Sequence, residues 1–177
     1  MVIMCVALVS LAQLFAISTR ANVSARGNTY AALLAQQKLE QLRGLTWGYD
    51  PLGLPVSDYT SDLSEVDQLA GCPSPSAGGG GTGLSPSPPG TLGANVAGWV
   101  DYVDASGCTL GGGTTQPAGT LYIRRWSVEP LPTNPNNTLI LQVLVTKRSN
   151  RGAADDGSVA RMPEEARLMS IKTRKSK

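Results

Sequence analysis

The chain has 177 residues, including 20 glycines and 12 prolines, with 5% aromatic and 16% charged side chains. That length accommodates one modest domain and a separate helix, but hardly two full hydrophobic cores. The formal net charge of +2 and the absence of histidine disfavour nucleic-acid binding, which needs a continuous basic face, and exclude histidine-based triads and histidine-ligated metal sites.

Residues 1–18 form an uncharged apolar segment in which Gln13 is the only strongly polar side chain. As a helix with a rise of about 1.5 Å per residue, this segment would extend roughly 26 Å, slightly less than the roughly 30 Å of a bilayer's hydrocarbon layer. A cleaved secretory signal is expected to carry basic residues before its apolar segment, and none stands there in this sequence. The pattern therefore predicts a retained, membrane-embedded helix over residues 1–19.

Residues 20–44 are predicted to continue this helix in amphipathic form. Good helix formers dominate residues 30–43, and apolar residues recur there at spacings of three or four. The recurring apolar residues are Ala31, Leu34, Ala35, Leu39 and Leu42. Gly27 and Asn28 predict a bend or a local loosening, and Gly44 is expected to end the helix.

Cys72 and Cys108 are too far apart in sequence for a CxxC redox or zinc motif. We favour a structural disulfide between them, with two unpaired thiols as the alternative. By chain entropy, a loop of this size contributes roughly 3 to 4 kcal/mol to stability. Such bonds persist in a periplasm or outside the cell, so a disulfide would indicate an outward-facing domain.

Two loops interrupt the rest of the chain. Residues 73–95 are rich in glycine and proline and are predicted to be a flexible surface loop. The glycine run at residues 78–81 lacks the Lys-Ser/Thr pair of a phosphate-binding loop. Asp155 and Asp156, like Glu164 and Glu165, are interpreted as solvated charges, with a calcium site in that later loop as a minor alternative.

Residues 45–177 are predicted to form a small β domain. Strands are expected over residues 99–103, 121–128, 139–146 and 167–173. The predicted fold class is α+β, with a three- or four-stranded antiparallel sheet packed on the long helix and long Gly/Pro-rich loops. Arg124 and Arg125 point to opposite faces of one strand, so we interpret them as solvated or ion-paired side chains rather than a binding clamp.

A helix that is apolar on all sides in its first half and striped in its second, followed by a small β domain, resembles the type IV pilin and pseudopilin superfamily. The resemblance is carried by Val2-Ile3 through Leu14 and by LLAQQKLEQLRGL at residues 33–45. It covers about a quarter of the chain. The similarity is greatest to minor subunits, of the pilus modification-protein or type II secretion kind, and it implies a pilin-like fold.

The sequence departs from that family at its start. Family members begin with a short basic leader ending in glycine, then an apolar residue and a glutamate at the fifth mature position, and these features are missing before Val2. We expect the natural start to lie upstream of Met1, where about ten further residues would lengthen the apolar span past roughly 20 residues. If Met1 is the true start, assembly is in doubt. Arg20 and Arg26 alone would place the domain in the cytoplasm, and a basic leader would reverse that orientation.

The resemblance implies a structural subunit, a minor pilin or pseudopilin, with no enzymatic activity and no cofactor. The chain would reside in the bacterial inner membrane as a single-pass protein with residues 45–177 in the periplasm, and would assemble with other pilin subunits into a filament that can reach the cell surface. We expect no nucleic-acid or small-molecule partner.

Two groups of residues have structural roles under this hypothesis. Residues expected to pack helix against helix are Val2, Val6, Leu8, Val9, Leu11, Leu14 and Phe15. Those expected to hold the sheet on the helix are Ala31, Leu34, Leu39 and Leu42. The alternative hypothesis is an exported or membrane-tethered binding or hydrolytic domain, whose apolar segment, cleaved or uncleaved, only directs export.

Overall fold

The computed structural model describes residues 2–59, 72, 81–148 and 165–175, and for residues 2, 3 and 5–7 it describes the backbone alone. The described chain begins with one long α-helix, α1 (Val2–Gly44). Its 43 residues extend about 65 Å at 1.5 Å per residue. Helical structure is uninterrupted through Gly27 and Asn28, where the sequence predicts a bend or a loosening. The helix ends at Gly44, the residue expected to end it.

Seven strands follow within the described residues. They are β1 (Trp47–Tyr49), β2 (Pro55–Ser57), β3 (Val100–Val103), β4 (Thr109–Gly112), β5 (Tyr122–Pro130), β6 (Thr138–Lys147) and β7 (Glu165–Thr173). They form a two-stranded sheet, β1-β2, and a main sheet of order β4-β3-β5-β6-β7. All pairings are antiparallel. The α+β class is confirmed, but the main sheet has five strands rather than three or four, and a second sheet accompanies it.

The sequence analysis did not predict β1, β2 and β4, which share weak sequence signals. β4 ends in two glycines, and Gly111 has a φ of 139°, a conformation that other residues rarely adopt. Glycine is depleted in strands, so a propensity argument overlooks this segment. β1 and β2 have three residues each, which is too short to establish an alternating pattern.

The main sheet has an inner face, which packs on α1, and an outer face on the opposite side. Along β6, the alternate residues Leu139, Leu141, Val143 and Val145 are buried on the inner face, whereas Ile140 on the outer face is only partly buried. These four residues belong to the principal core cluster. Its other members are Ala31, Leu34, Ala35, Leu39, Leu42, Leu84, Trp99, Val103, Tyr122, Trp126 and Val128.

Residues 81–95, the described part of the loop predicted to be flexible, are hydrogen-bonded to the rest of the domain. The Leu84 N–H donates to the Asp58 carbonyl at 2.8 Å, and the Ser87 N–H donates to the Val128 carbonyl at 2.8 Å. The Leu84 side chain is buried in the core cluster. Residues 73–80 lie outside the described residues.

The end of the described chain is attached to the β1-β2 hairpin. The Lys175 N–H donates to the Trp47 carbonyl at 3.0 Å. The Arg174 guanidinium lies 3.8 Å from the centroid of the Trp47 ring, a distance at which cation–π attraction operates. The hairpin therefore sits at the C-terminal end of β7.

A disulfide joins Cys72 and Cys108, whose Cα atoms are 5.4 Å apart. It connects the start of β4 to a segment 36 residues earlier in the sequence. A loop of that size contributes about 4 kcal/mol by the chain-entropy relation. The disulfide expected from the two cysteines is thus present, and the alternative of two unpaired thiols is wrong.

Candidate assembly helix and its attachment to the sheet

The first half of α1 exposes apolar side chains on every side. Every side chain from Leu8 to Val23 is exposed, as is Met4. The large apolar side chains in this half are between 56% and 73% exposed. They are Met4, Leu8, Val9, Leu11, Leu14, Phe15, Ile17 and Val23. The side chains of Val2 and Val6, which the sequence analysis groups with them, lie outside the described part of the structure.

Where side chains are described, the structure contains no helix that combines the length and the apolar character needed to cross a membrane.

The second half of α1 presents one buried stripe to the inner face of the main sheet. Ala31, Leu34, Leu39 and Leu42, the residues expected to hold helix and sheet together, all lie in the core cluster. Tyr30 adds an aromatic contact at the start of this stripe, with its ring centroid 5.3 Å from that of Tyr122. The helix is therefore attached to the domain only from about Tyr30 onward.

A charged cluster of Lys38, Asp101 and Arg124 lies inside this helix–sheet contact. The Lys38 Nζ is 3.2 Å from Asp101 Oδ2, and the side chains of both residues are 0% exposed. Arg124 Nη2 donates to the same Oδ2 at 2.9 Å, and Arg124 Nη1 contacts the Leu34 carbonyl at 3.4 Å. The cluster thus links α1 to β3 and β5.

Two cations share one carboxylate in this cluster, and other groups take part in compensating the charge. The Lys38 Nζ lies 3.7 Å from the centroid of the Trp126 ring, which attracts a cation through its π face. Gln37 Oε1 accepts from Arg124 Nη1 at 3.3 Å. Within the described residues, Asp101 Oδ1 accepts no hydrogen bond. Since removing one member of a buried ion pair leaves the other charge uncompensated, this cluster is sensitive to mutation.

The sequence analysis placed Lys38 on the polar side of the helix, and the structure shows it buried. A signal for this burial exists in the spacing, because Lys38 follows Leu34 by four residues and precedes Leu42 by four. It therefore lies on the apolar stripe. Asp101 gave a second signal, since it interrupts an otherwise apolar strand.

Arg124 and Arg125 point to opposite faces of β5, as predicted, but both are buried. Arg124 is ion-paired. On the outer face, Arg125 Nε and Nη2 donate to Asn95 Oδ1 at 2.9 and 2.8 Å. The interpretation of these residues as solvated is wrong, because the helix covers one face of the strand and Asn95 of loop 81–95 reaches the other.

Tyr102 lies beside Arg125 on the outer face and is fully buried. Its hydroxyl donates to the Gly113 carbonyl at 2.8 Å. Burial raises the pKa of Tyr102 above its ordinary value of 10.0, and the nearby Arg125 charge partly opposes that rise.

The C-terminal end of α1 is bound to β7 by Lys172, whose Nζ donates to the Arg43 carbonyl. A cation at this position is favourable because helix C-termini carry partial negative charge. Burial nevertheless lowers the pKa of Lys172, and the Arg43 charge lowers it further, while Asp58 has the opposite effect.

Over the described ranges, no group of three or more His, Cys, Asp or Glu side chains is arranged to hold a metal ion. The acidic residues considered for a calcium site, Asp155, Asp156 and Glu164, lie outside those ranges. No motif for catalysis was found in the sequence, so the features that remain are a helix surface and its attachment.

One long N-terminal helix packed on an antiparallel sheet is compatible with a pilin-like fold. No protein-family model, curated protein or solved structure matches this chain.

Proposed function

We propose that the chain is a minor pilin or pseudopilin, a structural subunit that joins a type IV pilus or a type II secretion filament through the first half of α1. The observation that carries this proposal is the division of α1 into an apolar half exposed on all sides and a half buried on a sheet. Exposed apolar surface of this extent marks a site of association with another apolar surface.

Helix-to-helix packing suits the first half of α1 because its apolar side chains surround the helix. A single apolar stripe would pack against one neighbour, whereas Leu8, Leu11 and Phe15 point in different directions and can contact several. The closest packing of many such helices is a bundle, with the β domains arranged around it. Before assembly the same surface requires an apolar environment, and the inner membrane supplies one.

The attachment of the second half fits this mechanical role. The core cluster and the Lys38–Asp101–Arg124 cluster fix the sheet against residues 30–42. The disulfide between Cys72 and Cys108 suits an oxidising compartment such as the periplasm. A domain held in this way would keep a constant position relative to the assembling helix.

A substitution in the exposed half tests the proposal in cells that encode the chain. Filaments are sheared from the cell surface, and the amount of the full-length protein in them is measured by immunoblotting. Phe15→Glu should lower that amount by more than about tenfold, because 1.4 kcal/mol equals a factor of ten and burying a carboxylate among apolar helices costs more than this. The folded domain should be unaffected, since Phe15 is exposed.

The matched control is Gln36→Glu, which introduces the same carboxylate at an exposed position in the second half of the helix. It should leave the filament content unchanged. A chain that is found only in soluble form, with residues 1–18 removed, would instead favour the exported binding or hydrolytic domain. Equal loss with both variants would also contradict the proposal.

A further inference from the structure

β7 forms one edge of the main sheet. Its nine residues pair with β6 along their whole length, and no other described strand pairs with them. An unpaired edge of this length offers a row of free backbone donors and acceptors to another strand.

The hydrogen bonds beside β7 show which of its backbone groups point outward. The Arg174 N–H donates to the Asn137 carbonyl at 2.8 Å, on the β6 side. In an antiparallel ladder the direction alternates with each residue, so even-numbered residues of β7 bond to β6 and odd-numbered residues point away from it. The bond from the Arg148 N–H to the Leu121 carbonyl, at 2.8 Å, gives β6 the same parity.

The odd-numbered residues of β7 also carry exposed side chains. Met169 is 66% and Ile171 is 60% exposed, and Arg167 and Thr173 are exposed on the same outer face. The edge thus combines outward backbone groups with a short apolar surface.

We propose that β7 pairs antiparallel with β7 of a second copy of this chain, about a twofold axis at Met169. This register places Met169 opposite Met169, Arg167 opposite Ile171, and Glu165 opposite Thr173. The five odd-numbered residues of each strand would then exchange about ten hydrogen bonds. The two main sheets become one continuous sheet.

Charge complementarity supports a second copy as the occupant. β7 begins with the acidic Glu165, and the chain continues past its end with the basic Arg174 and Lys175. Antiparallel pairing brings the acidic start of each strand near the basic end of the other, which is attractive across a sheet. Parallel pairing would bring like charges together.

The position of β1 fixes the register. Moving Glu165 to a place opposite Lys175 is blocked, because the Lys175 N–H already donates to the Trp47 carbonyl. Moving the register in the other direction leaves the end of each strand unpaired. The register centred on Met169 uses all of β7.

A twofold contact is closed after two copies, so it forms pairs and does not extend a filament. The inference is therefore independent of the proposed function. A chain that fails to enter filaments can still form this pair.

Disulfide trapping of the full-length chain in detergent micelles tests the register. In a Cys5→Ser background, Met169→Cys places two cysteines at a hydrogen-bonded pair, where Cα atoms are about 5.5 Å apart, within the range for a disulfide. Mild oxidation should convert most of the chain to a species of twice the monomer mass on non-reducing gels. Thr173→Cys is the matched control, since its two copies would be about 27 Å apart, eight residues along the strand.

Thr173→Cys alone should remain monomeric, and mixing it with Glu165→Cys should restore the cross-link. Equal cross-linking of Met169→Cys and Thr173→Cys, or none in either, would overturn the proposal. A second variant, Met169→Pro, removes only an outward-pointing N–H and so leaves the β6–β7 ladder intact. It should abolish the dimer in sedimentation analysis while the circular dichroism spectrum is unchanged, and a persisting dimer would contradict the inference.

Discussion

The two halves of α1 are similar in sequence character and differ in what surrounds them. Leu14 and Leu42 are both leucines on the same continuous helix, yet Leu14 is exposed and Leu42 is fully buried. The second half has a folded sheet against it, whereas the first half extends beyond the domain. Apolar composition therefore indicates that a helix surface needs a partner, but it does not say whether that partner belongs to the same chain.

The charged residues of α1 differ in the same way. Lys38 is buried in a cluster with Asp101 and Arg124, whereas Glu40 and Arg43 form an ion pair whose side chains are 55% and 52% exposed. Pairs in water contribute little because solvent screens them, while a buried charge depends entirely on its partners. Three predictions use these contrasts.

The largest effect is expected for Asp101→Asn. It removes the carboxylate charge between Lys38 and Arg124 and should lower the free energy of unfolding by about 3 to 5 kcal/mol. The same chemical change in Glu40→Gln, at the exposed pair with Arg43, should lower it by no more than about 0.5 kcal/mol. Urea unfolding followed by tryptophan fluorescence measures both, and similar values for the two variants would show that the buried cluster has no special role.

A slightly smaller effect is expected for Leu42→Ala. The cavity left in the core should lower the free energy of unfolding by about 2 to 5 kcal/mol. Leu14→Ala removes the same atoms from an exposed position, so the stability of the domain should stay within about 0.5 kcal/mol of the original. If Leu14→Ala destabilises the domain as much as Leu42→Ala, the first half of α1 is packed within the chain and its description as a free surface is wrong.

The smallest effect concerns the buried Tyr102 and alkaline pH. Because the folded state raises the pKa of Tyr102 above 10.0, the unfolded chain releases this proton at lower pH than the folded chain does. Stability is therefore intact below about pH 10 and falls as the pH rises above it, by at most about 1.4 kcal/mol per pH unit.

Tyr102→Phe should make this alkaline decline shallower, as measured by urea unfolding at a series of pH values from 9 to about 11. The lowered pKa of Lys172 has the opposite sign, because stability increases with pH as the unfolded chain loses the proton that the folded chain holds less tightly. Comparing slopes between Tyr102→Phe and the unchanged protein cancels the Lys172 contribution. Identical slopes would mean that Tyr102 ionises freely in the folded domain.

Much of the architecture follows from local patterns. The apolar spacing of Leu34, Leu39 and Leu42 identifies the buried side of α1, and alternation in β6 identifies the residues that face it. Gly44 marks the end of the helix. These features depend on residues close together in the sequence, where helix and strand periodicities apply directly.

The remaining features depend on contacts between distant residues. Lys38 and Asp101 are 63 positions apart by their numbers, and neither has a local pattern that identifies the other. β4 forms because β3 offers it a pairing edge, despite its glycines. The register that leaves the β7 edge free is likewise a property of the assembled sheet, and no segment of the sequence shows it alone.

The arrangement of Lys38, Asp101 and Arg124 also has a mechanical consequence. A tensile load applied to residues 4–23 would enter the domain along the helix axis and reach the sheet through the side chains between Tyr30 and Leu42. These contacts lie side by side and would share the load in shear, since a densely packed interior transmits strain with little compression. Slippage of the helix would require the buried ions to separate together with the apolar contacts, so the domain should yield abruptly at a threshold force rather than creep along the helix.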